Sequence, residues 1–293
     1  MIFVEGHQIV TVKKRFQKRM GVFCFSCTLL LVAMSTVGNC STYQGVGMGI
    51  SLVPTDIPSD ATGVHLSNNF ISDISPDDFA GISGLLQLYL DHNRLTVFPD
   101  IGDAKASLQV LVLNSNSIST ISSKETAGYT SLLQIYLIGN QMIQFPDLSD
   151  AKKNLNILYL QHNSISKIVR QDLDGFEQLN YLELGYNNLT SMPDLHFITK
   201  TIISVNVESN QIMHYHPWSV EALLDLQTFQ PLHYFHGNPL VCDCRAIYLS
   251  QILAENSDGM SSAAATCDSP SELQNIPLDT VPVEQLVCAG NTN

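Results

Sequence analysis

One pattern, apolar-x-apolar-x-x-Asn-x-apolar, returns seven times in register and fixes the kind of fold open to this chain. The copies run Val64, Leu66, Asn69, Ile71; Leu88, Leu90, Asn93, Leu95; Leu111, Leu113, Asn116, Ile118; and Ile135, Leu137, Asn140, Met142. They continue as Leu158, Leu160, Asn163, Ile165; Leu182, Leu184, Asn187, Leu189; and Val205, Val207, Asn210, Ile212. A weaker eighth copy survives as Phe235, Asn238 and Leu240. Across the seven clear copies successive asparagines are spaced alternately by 24 and 23 residues. Each apolar-x-apolar stretch reads as a short strand with its aliphatic residues pointing one way. One repeat cannot bury that face alone, whereas stacked copies form a parallel sheet, about 4.8 Å per strand, over a continuous core. The Asn turns the chain out of the strand, and its amide suits backbone groups of its own and the neighbouring coil. Left buried and unpaired, such groups cost about 1–3 kcal/mol each.

A second period lies on top. Copies two, four and six follow the Asn with Phe98-Pro99-Asp100, Phe145-Pro146-Asp147 and Met192-Pro193-Asp194, so the true unit is a 47-residue pair. Proline fixes φ and removes a donor, which predicts extended, polyproline-like outer walls in the even copies. Odd copies carry Ile74, Ile121 and Ile168 followed by polar stretches, with room for a short helical turn.

Ahead of the repeats, Lys13, Lys14, Arg15, Lys18 and Arg19 precede the apolar run of residues 21 to 37, and Thr36 and Gly38 suit cleavage after Gly38. This is the plan of a secretory signal peptide, with translation starting at Met1 or at Met20. The competing assignment is an uncleaved anchor, giving a type II membrane protein with the repeats outside. The run is shorter than the roughly 20 residues a spanning helix needs, which favours cleavage. Either way the basic block stays cytoplasmic and the rest is exported. The ending VCAGNTN carries no apolar tail for a span or a lipid anchor, so a soluble secreted chain is expected. Losing residues 1–38 removes five basic residues and one acidic residue, leaving 9 basic and 26 acidic side chains, a net charge of −17. Such a surface repels nucleic acid and anionic membranes, so the expected partner is a protein with a basic or neutral surface.

Beyond the repeats, NPLVCDCRAIYL brings Cys242 and Cys244, followed by Cys267 and Cys288. Four cysteines allow three pairings, and two residues apart, Cys242 and Cys244 are poorly placed to bond each other. Two bridges in an exported module contribute about 2–4 kcal/mol apiece. Zinc fits less well, because the spacing lacks a CxxC pair and the route is oxidising. With this ending the chain resembles the extracellular leucine-rich repeat family closed by a cysteine-flanked C-terminal cap. That family includes Toll-type receptor ectodomains, Slit-like guidance proteins, small matrix proteoglycans and variable lymphocyte receptors. NPLVCDC is close to the cap's NPxxCDC, and the resemblance covers roughly residues 48 to 289. It implies an α/β solenoid, a curved leucine-rich repeat horseshoe with a parallel concave β-sheet and a disulfide-bonded C-terminal cap. It also implies the pairing Cys242–Cys267 and Cys244–Cys288, and Tyr248 stands where many relatives carry Trp. The N-terminal cap departs from the family, which places four cysteines there, whereas only Cys40 remains here after cleavage. The expected organisation is a signal peptide at 1–38, a degenerate N-terminal cap at 39–59, repeats at 60–237 and the cysteine-rich cap at 238–293.

In a curved stack the non-core strand residues line the concave face. The position between the two core residues holds His65, Tyr89, Val112, Tyr136, Tyr159, Glu183, Asn206 and, in the last copy, Tyr234. The next outward position holds Ser67, Asp91, Asn114, Ile138, Gln161, Gly185, Glu208 and His236, while Tyr181 and Tyr186 flank the sixth strand. Tyrosine offers large amphipathic contact area at low entropy cost. The ordinary alternative is that Tyr and Val simply favour strands and stack across neighbours. A stripe beside outward Val and Ile places the expected ligand-binding set in copies two to six: Tyr89, Asp91, Val112, Tyr136, Ile138, Tyr159, Gln161, Tyr181, Glu183 and Tyr186. Asn188-Leu189-Thr190 is an N-glycosylation acceptor, and Asn39-Cys40-Ser41 is a second that abuts the cleavage site. His214 with His216, and His233 with His236, lack a third ligand at motif spacing, so no metal is expected. No hydrolase, zinc-protease or phosphate-loop motif occurs, so neither catalysis nor a cofactor is expected. Two functions compete: a secreted recognition module for a protein ligand in adhesion, signalling or innate immunity, and a matrix scaffold that acts by its edges or self-associates through Cys40.

Overall fold

The computed structural model describes residues 41–224, 235–255 and 265–288. The leader 1–38, Asn39, Cys40, His233 and Tyr234 lie outside the described residues. Eight strands form one parallel sheet in chain order: β1 Ser41–Gln44, β2 Ala61–His65, β3 Gln87–Tyr89, β4 Val110–Val112, β5 Gln134–Tyr136, β6 Ile157–Tyr159, β7 Tyr181–Glu183 and β8 Ser204–Asn206. Alternation turns the middle residue of each strand inward. Val64, Leu88, Leu111, Ile135, Leu158, Leu182 and Val205 stand side by side in register and are fully buried. The second apolar position, from Leu66 to Val207, is buried as completely. One aliphatic stack is therefore shared by all copies, and the sheet forms the concave side of a curved solenoid.

Asparagine closes each turn. Asn140 Nδ2 donates to Leu137 O of its own coil at 3.1 Å and to Leu113 O of the preceding one at 3.0 Å. Its Oδ1 accepts from Ile118 N–H at 3.0 Å. The same three bonds recur at Asn93 and Asn116, at Asn163 and Asn187, and at Asn210. Asn69 makes them to the N-terminal cap, using Gly45 O and Ile50 N–H where a preceding repeat would stand. Asn238 donates to Val207 O and accepts from Ile212 N–H, so the weak eighth copy continues the ladder.

The residue before each ladder Asn has a left-handed backbone: Asn68, His92, Ser115, Gly139, His162, Tyr186, Ser209 and Gly237, with φ between 51° and 68°. This step swings the chain out of the strand while the Asn amide catches the two coils. Glycine adopts it freely, whereas side-chain-bearing residues lose roughly 1–2 kcal/mol there.

On the convex side the odd copies make single helical turns at Pro76–Phe79, Ser123–Thr126 and Arg170–Leu173. A carboxylate three residues on secures each start: Ser75 N–H donates to Asp78 at 2.7 Å, Ser122 N–H to Glu125 at 2.8 Å, and Val169 N–H to Asp172 at 2.7 Å. The even copies correct the expectation of uniformly extended walls. Copies two and six form 3-10 turns at Gly102–Ala106 and Leu195–Phe197, and copy four turns as well, with Lys152 N–H donating to Leu148 O at 3.0 Å. Proline fixes only its own φ, and the Asp after it starts the next turn. Asp100 Oδ1 accepts from Gly102 N–H, and Asp194 Oδ1 from His196 N–H, both at 3.1 Å. Buried Tyr129 donates to Pro99 O at 2.7 Å and ties copy three to copy two.

The two ends are closed by different means. At the N-terminal end β1 pairs parallel to β2, and Val53 is buried behind it. At the C-terminal end β9 Leu240–Val241 pairs with β10 Cys267–Ser269, and the helix Ile247–Glu255 contributes buried Leu249 and Leu253. The disulfides are Cys242–Cys267 and Cys244–Cys288, with Cα–Cα separations of 5.5 and 4.9 Å. All four sulfurs are thus spent on each other, and none is left to ligate zinc. Tyr248 reaches across to Glu221, donating to Oε1 at 3.2 Å.

Two measurements test this construction. Asn140→Ala strands two carbonyls and one N–H, and is expected to lower unfolding stability by about 3–5 kcal/mol in urea titrations; a loss below about 1 kcal/mol would remove the ladder from its role. At the left-handed position, Tyr186→Gly relieves backbone strain but loses side-chain packing and adds chain entropy, so stability stays within about 1 kcal/mol of the parent. Tyr186→Val, β-branched at that φ, is expected to lose about 2 kcal/mol. Thermal melts that rank the two variants the other way would contradict this reading.

Candidate functional site

Strand register sorts the concave side chains into three rows. The first row is Gln87, Val110, Gln134, Ile157, Tyr181 and Ser204, and the middle row runs His65, Tyr89, Val112, Tyr136, Tyr159, Glu183, Asn206. The third row continues past the strands as Asp91, Asn114, Ile138, Gln161, Gly185 and Glu208, aligned by bonds such as Ser115 N–H to Ile138 O and Tyr186 N–H to Glu208 O. The alternation that buries the aliphatic rows leaves most of these side chains half-exposed.

The structure brings some of the expected residues together and parts others. Tyr136 and Tyr159 meet edge to face, ring centroids 5.0 Å apart. Tyr89 does not join them: Val112 intervenes, and Tyr89 stacks instead on His65 at 4.2 Å. Ile138 lies on the third row one strand from Val112 and Gln161, so the aliphatic area sits beside the central tyrosines. Tyr181 stands in the first row, beside Ile157. Tyr186 is off the strands altogether, 48% exposed on the rim, and lies flat on His162 at 4.4 Å. Aromatic pairs of this kind contribute about 0.5–1.5 kcal/mol beyond their burial, so each tyrosine is partly committed to its neighbour.

Electrostatics follow from that half-burial. Loss of hydration raises the hydroxyl pKa values of Tyr89, Tyr136 and Tyr159 above the ordinary value, and the Asp91 and Glu183 charges add to the first and third of these. Burial lowers the His65 pKa, against a smaller opposing pull from Asp91. Asp91 accepts from Ser67 Oγ at 2.5 Å, and Glu183 Oε2 from Gln161 Nε2 at 3.3 Å. None of the described residues on the three rows is Lys or Arg. Four of the chain's cations lie over aromatic rings outside the rows: Arg94 over Phe70, Lys105 over Tyr129, Lys152 over Phe176 and Arg170 over Phe197, at 4.4 to 5.6 Å.

Two contributions escaped the sequence reading. Gln87 and Gln134 sit beside the tyrosines, accepting from the Tyr89 and Tyr136 hydroxyls at 3.5 and 3.0 Å. Their signal was the same alternation, two residues before each central Tyr. His162 was passed over because it precedes a ladder Asn, a position that reads as a turn and not as a face.

A leucine-rich repeat family model matches residues 62–101. The human protein called leucine-rich repeats and immunoglobulin-like domains protein 1 is 36% identical over 67 residues, 23% of this chain and 6% of that protein. This chain therefore spans a small part of that relative's length. Among solved structures, human trophoblast glycoprotein (Wnt-activated inhibitory factor 1) is similar with a TM-score of 0.66 and 23% identity, over 83% of this chain and 93% of that one. The Toll chain of the Drosophila Toll–Spatzle complex gives a TM-score of 0.60 and 26% identity, over 78% of this chain and 32% of that one. The chain carries leucine-rich repeats in a curved solenoid that a disulfide-bonded C-terminal cap closes.

Proposed function

We propose that this chain is an exported, non-enzymatic recognition module that binds a protein ligand on its concave face. The observation that carries the reading is the mixed aromatic and aliphatic area of β3 to β7, with Tyr136, Tyr159 and Ile138 at its centre, carried half-exposed on a sheet that buried aliphatic rows hold rigid. Binding surfaces favour this composition, because rigid rings bury large area with little entropy to lose. Toll, one of the structural relatives, was solved as a complex with Spatzle, which supports protein recognition here by likeness. The basic block and apolar run of residues 13–37 support export, as do disulfides, which persist in oxidising compartments. Among the described residues no helix is long and apolar enough to cross a membrane. The acidic balance supports a partner with a basic or neutral surface.

Asn188 and Thr190 are both exposed beside Tyr186, so the reading includes N-glycosylation at this rim. The secreted chain is expected to gain mobility after endoglycosidase treatment, and Asn188→Gln to abolish that change. An untreated chain already running at its peptide mass would count against a glycan.

Recognition itself is tested by capture from extracellular fluid, using wild type beside Tyr89→Ala/Tyr136→Ala/Tyr159→Ala with folding verified by circular dichroism. A partner held by wild type and lost by the variant is the expected result. Equal retention by both would move binding away from the concave face.

A further inference from the structure

We propose that the outer edge of β1 pairs with β1 of a second copy of this chain, antiparallel across a two-fold axis at Gln44. The inference goes beyond concave recognition and rests only on the export part of that reading.

The sheet begins at β1, and among the described residues no strand lies on its far side. Gly45 N–H donates to His65 O at 2.8 Å and Gly47 N–H to Ser67 O at 3.0 Å, so these residues turn their backbone groups toward the first repeat. By alternation Thr42, Gln44 and Val46 turn theirs away from it, and all three are exposed. Such an edge is a template for another strand, and folded chains commonly blunt it with charge, proline or a bulge. Those devices are missing along this stretch. No Asp, Glu, Lys or Arg occurs from Ser41 to Thr55, no proline occurs between Ser41 and Val53, and the break in register falls between Ser41 and Thr42, at its start. β1 has four residues, where each strand from β3 to β8 has three.

Three arguments choose a second copy as the occupant. After cleavage at Gly38 only Asn39 and Cys40 precede β1, too few to turn back and pair with it, since a hairpin takes about two residues for its turn alone. Beyond the leader the chain has 9 basic and 26 acidic side chains, so two copies repel through their acidic surfaces, whereas this uncharged end lets them meet. The edge is also complementary to itself. With the axis at Gln44, Thr42 faces Val46 of the second copy and Gln44 faces its own equivalent, each pair exchanging both backbone N–H···O bonds. The side chains so opposed are Thr with Val and amide with amide, and no charge opposes its like. An isologous contact of this kind closes on two copies and goes no further. Both concave faces then lie on the same side of one continuous sheet, so a ligand with two epitopes would be held by both. Pairing also secures the end that a single copy holds by β2 alone.

Sedimentation velocity on the secreted chain, with cleavage checked by intact mass, is expected to show a dimer that dissociates on dilution. Reductant and Cys40→Ser are expected to leave it unchanged, since the pairing is non-covalent. Gln44 is exposed, so Gln44→Lys and Gln44→Glu keep the fold while opposing like charges at the axis. Each is expected to raise the dissociation constant about fivefold. Mixing the two variants is expected to restore association to within about twofold of the parent, because opposite charges then face each other. A parent that stays monomeric at every concentration would overturn the pairing. So would a dimer lost in reductant, a dimer indifferent to Gln44→Lys, or a mixture that fails to associate. The two readings separate cleanly. A monomeric chain that still captures its partner through the concave tyrosines overturns the pairing alone. A dimer whose captured partner survives the triple tyrosine substitution overturns the concave site alone. A secreted chain that retains residues 1–38 overturns cleavage and the pairing together.

Discussion

The asparagine ladder is the interaction on which everything else in this molecule depends. Each amide satisfies two carbonyls and one N–H that a solenoid necessarily turns inward, where water cannot reach them. Because the bonds span two coils, no copy is complete without its neighbour, and Asn238 keeps the same reach across a coil of 28 residues. The ladder also dictates the left-handed step before each Asn, and so where the rim of the concave face lies. Side chains are free to vary only where the ladder and the aliphatic stack make no demand. Those places are the outward rows and the rim, which is where the candidate ligand contacts fall.

Most of the fold could be read from the residues because its determinants are local and repeated. Leu88, Leu90 and Asn93 state strand, core and turn within six positions, and six further clear copies leave no competing period. The outer walls were less legible. Pro99 and Pro193 set one torsion each, while the turns that follow depend on Asp100 and Asp194 accepting a backbone N–H two residues on. The face was legible as composition but not as contact. Tyr89, Tyr136 and Tyr159 look like one stripe in sequence, yet strand order puts Val112 between the first and the others. Tyr186 looked like a strand neighbour and belongs to the rim, because the left-handed step carries it past the sheet.

Charge is divided between the surfaces with some economy. Four of the nine cations beyond the leader, Arg94, Lys105, Lys152 and Arg170, cover aromatic rings on the walls. Such contacts are worth about 0.5–1 kcal/mol at exposed sites and keep Phe70 and Phe197 partly shielded from water. The concave rows keep Asp91, Glu183 and Glu208 instead. On the recognition reading, a face with an apolar centre and acidic ends would discriminate by position as well as by sign.

The different closures at the two ends give the solenoid a direction. Past Asn238 the last coil is sewn by two covalent bridges, whereas at the other end, among the described residues, β1 is held to β2 by hydrogen bonds and packing alone. In a stack where each coil leans on the next, loosening starts at the less secured end and travels inward coil by coil. Amide exchange would then be graded along the chain, fastest near β1 and slowest toward β8. A tensile load applied between the termini would peel the molecule from its first strand, leaving the acidic β7–β8 end the last part of the face to come apart.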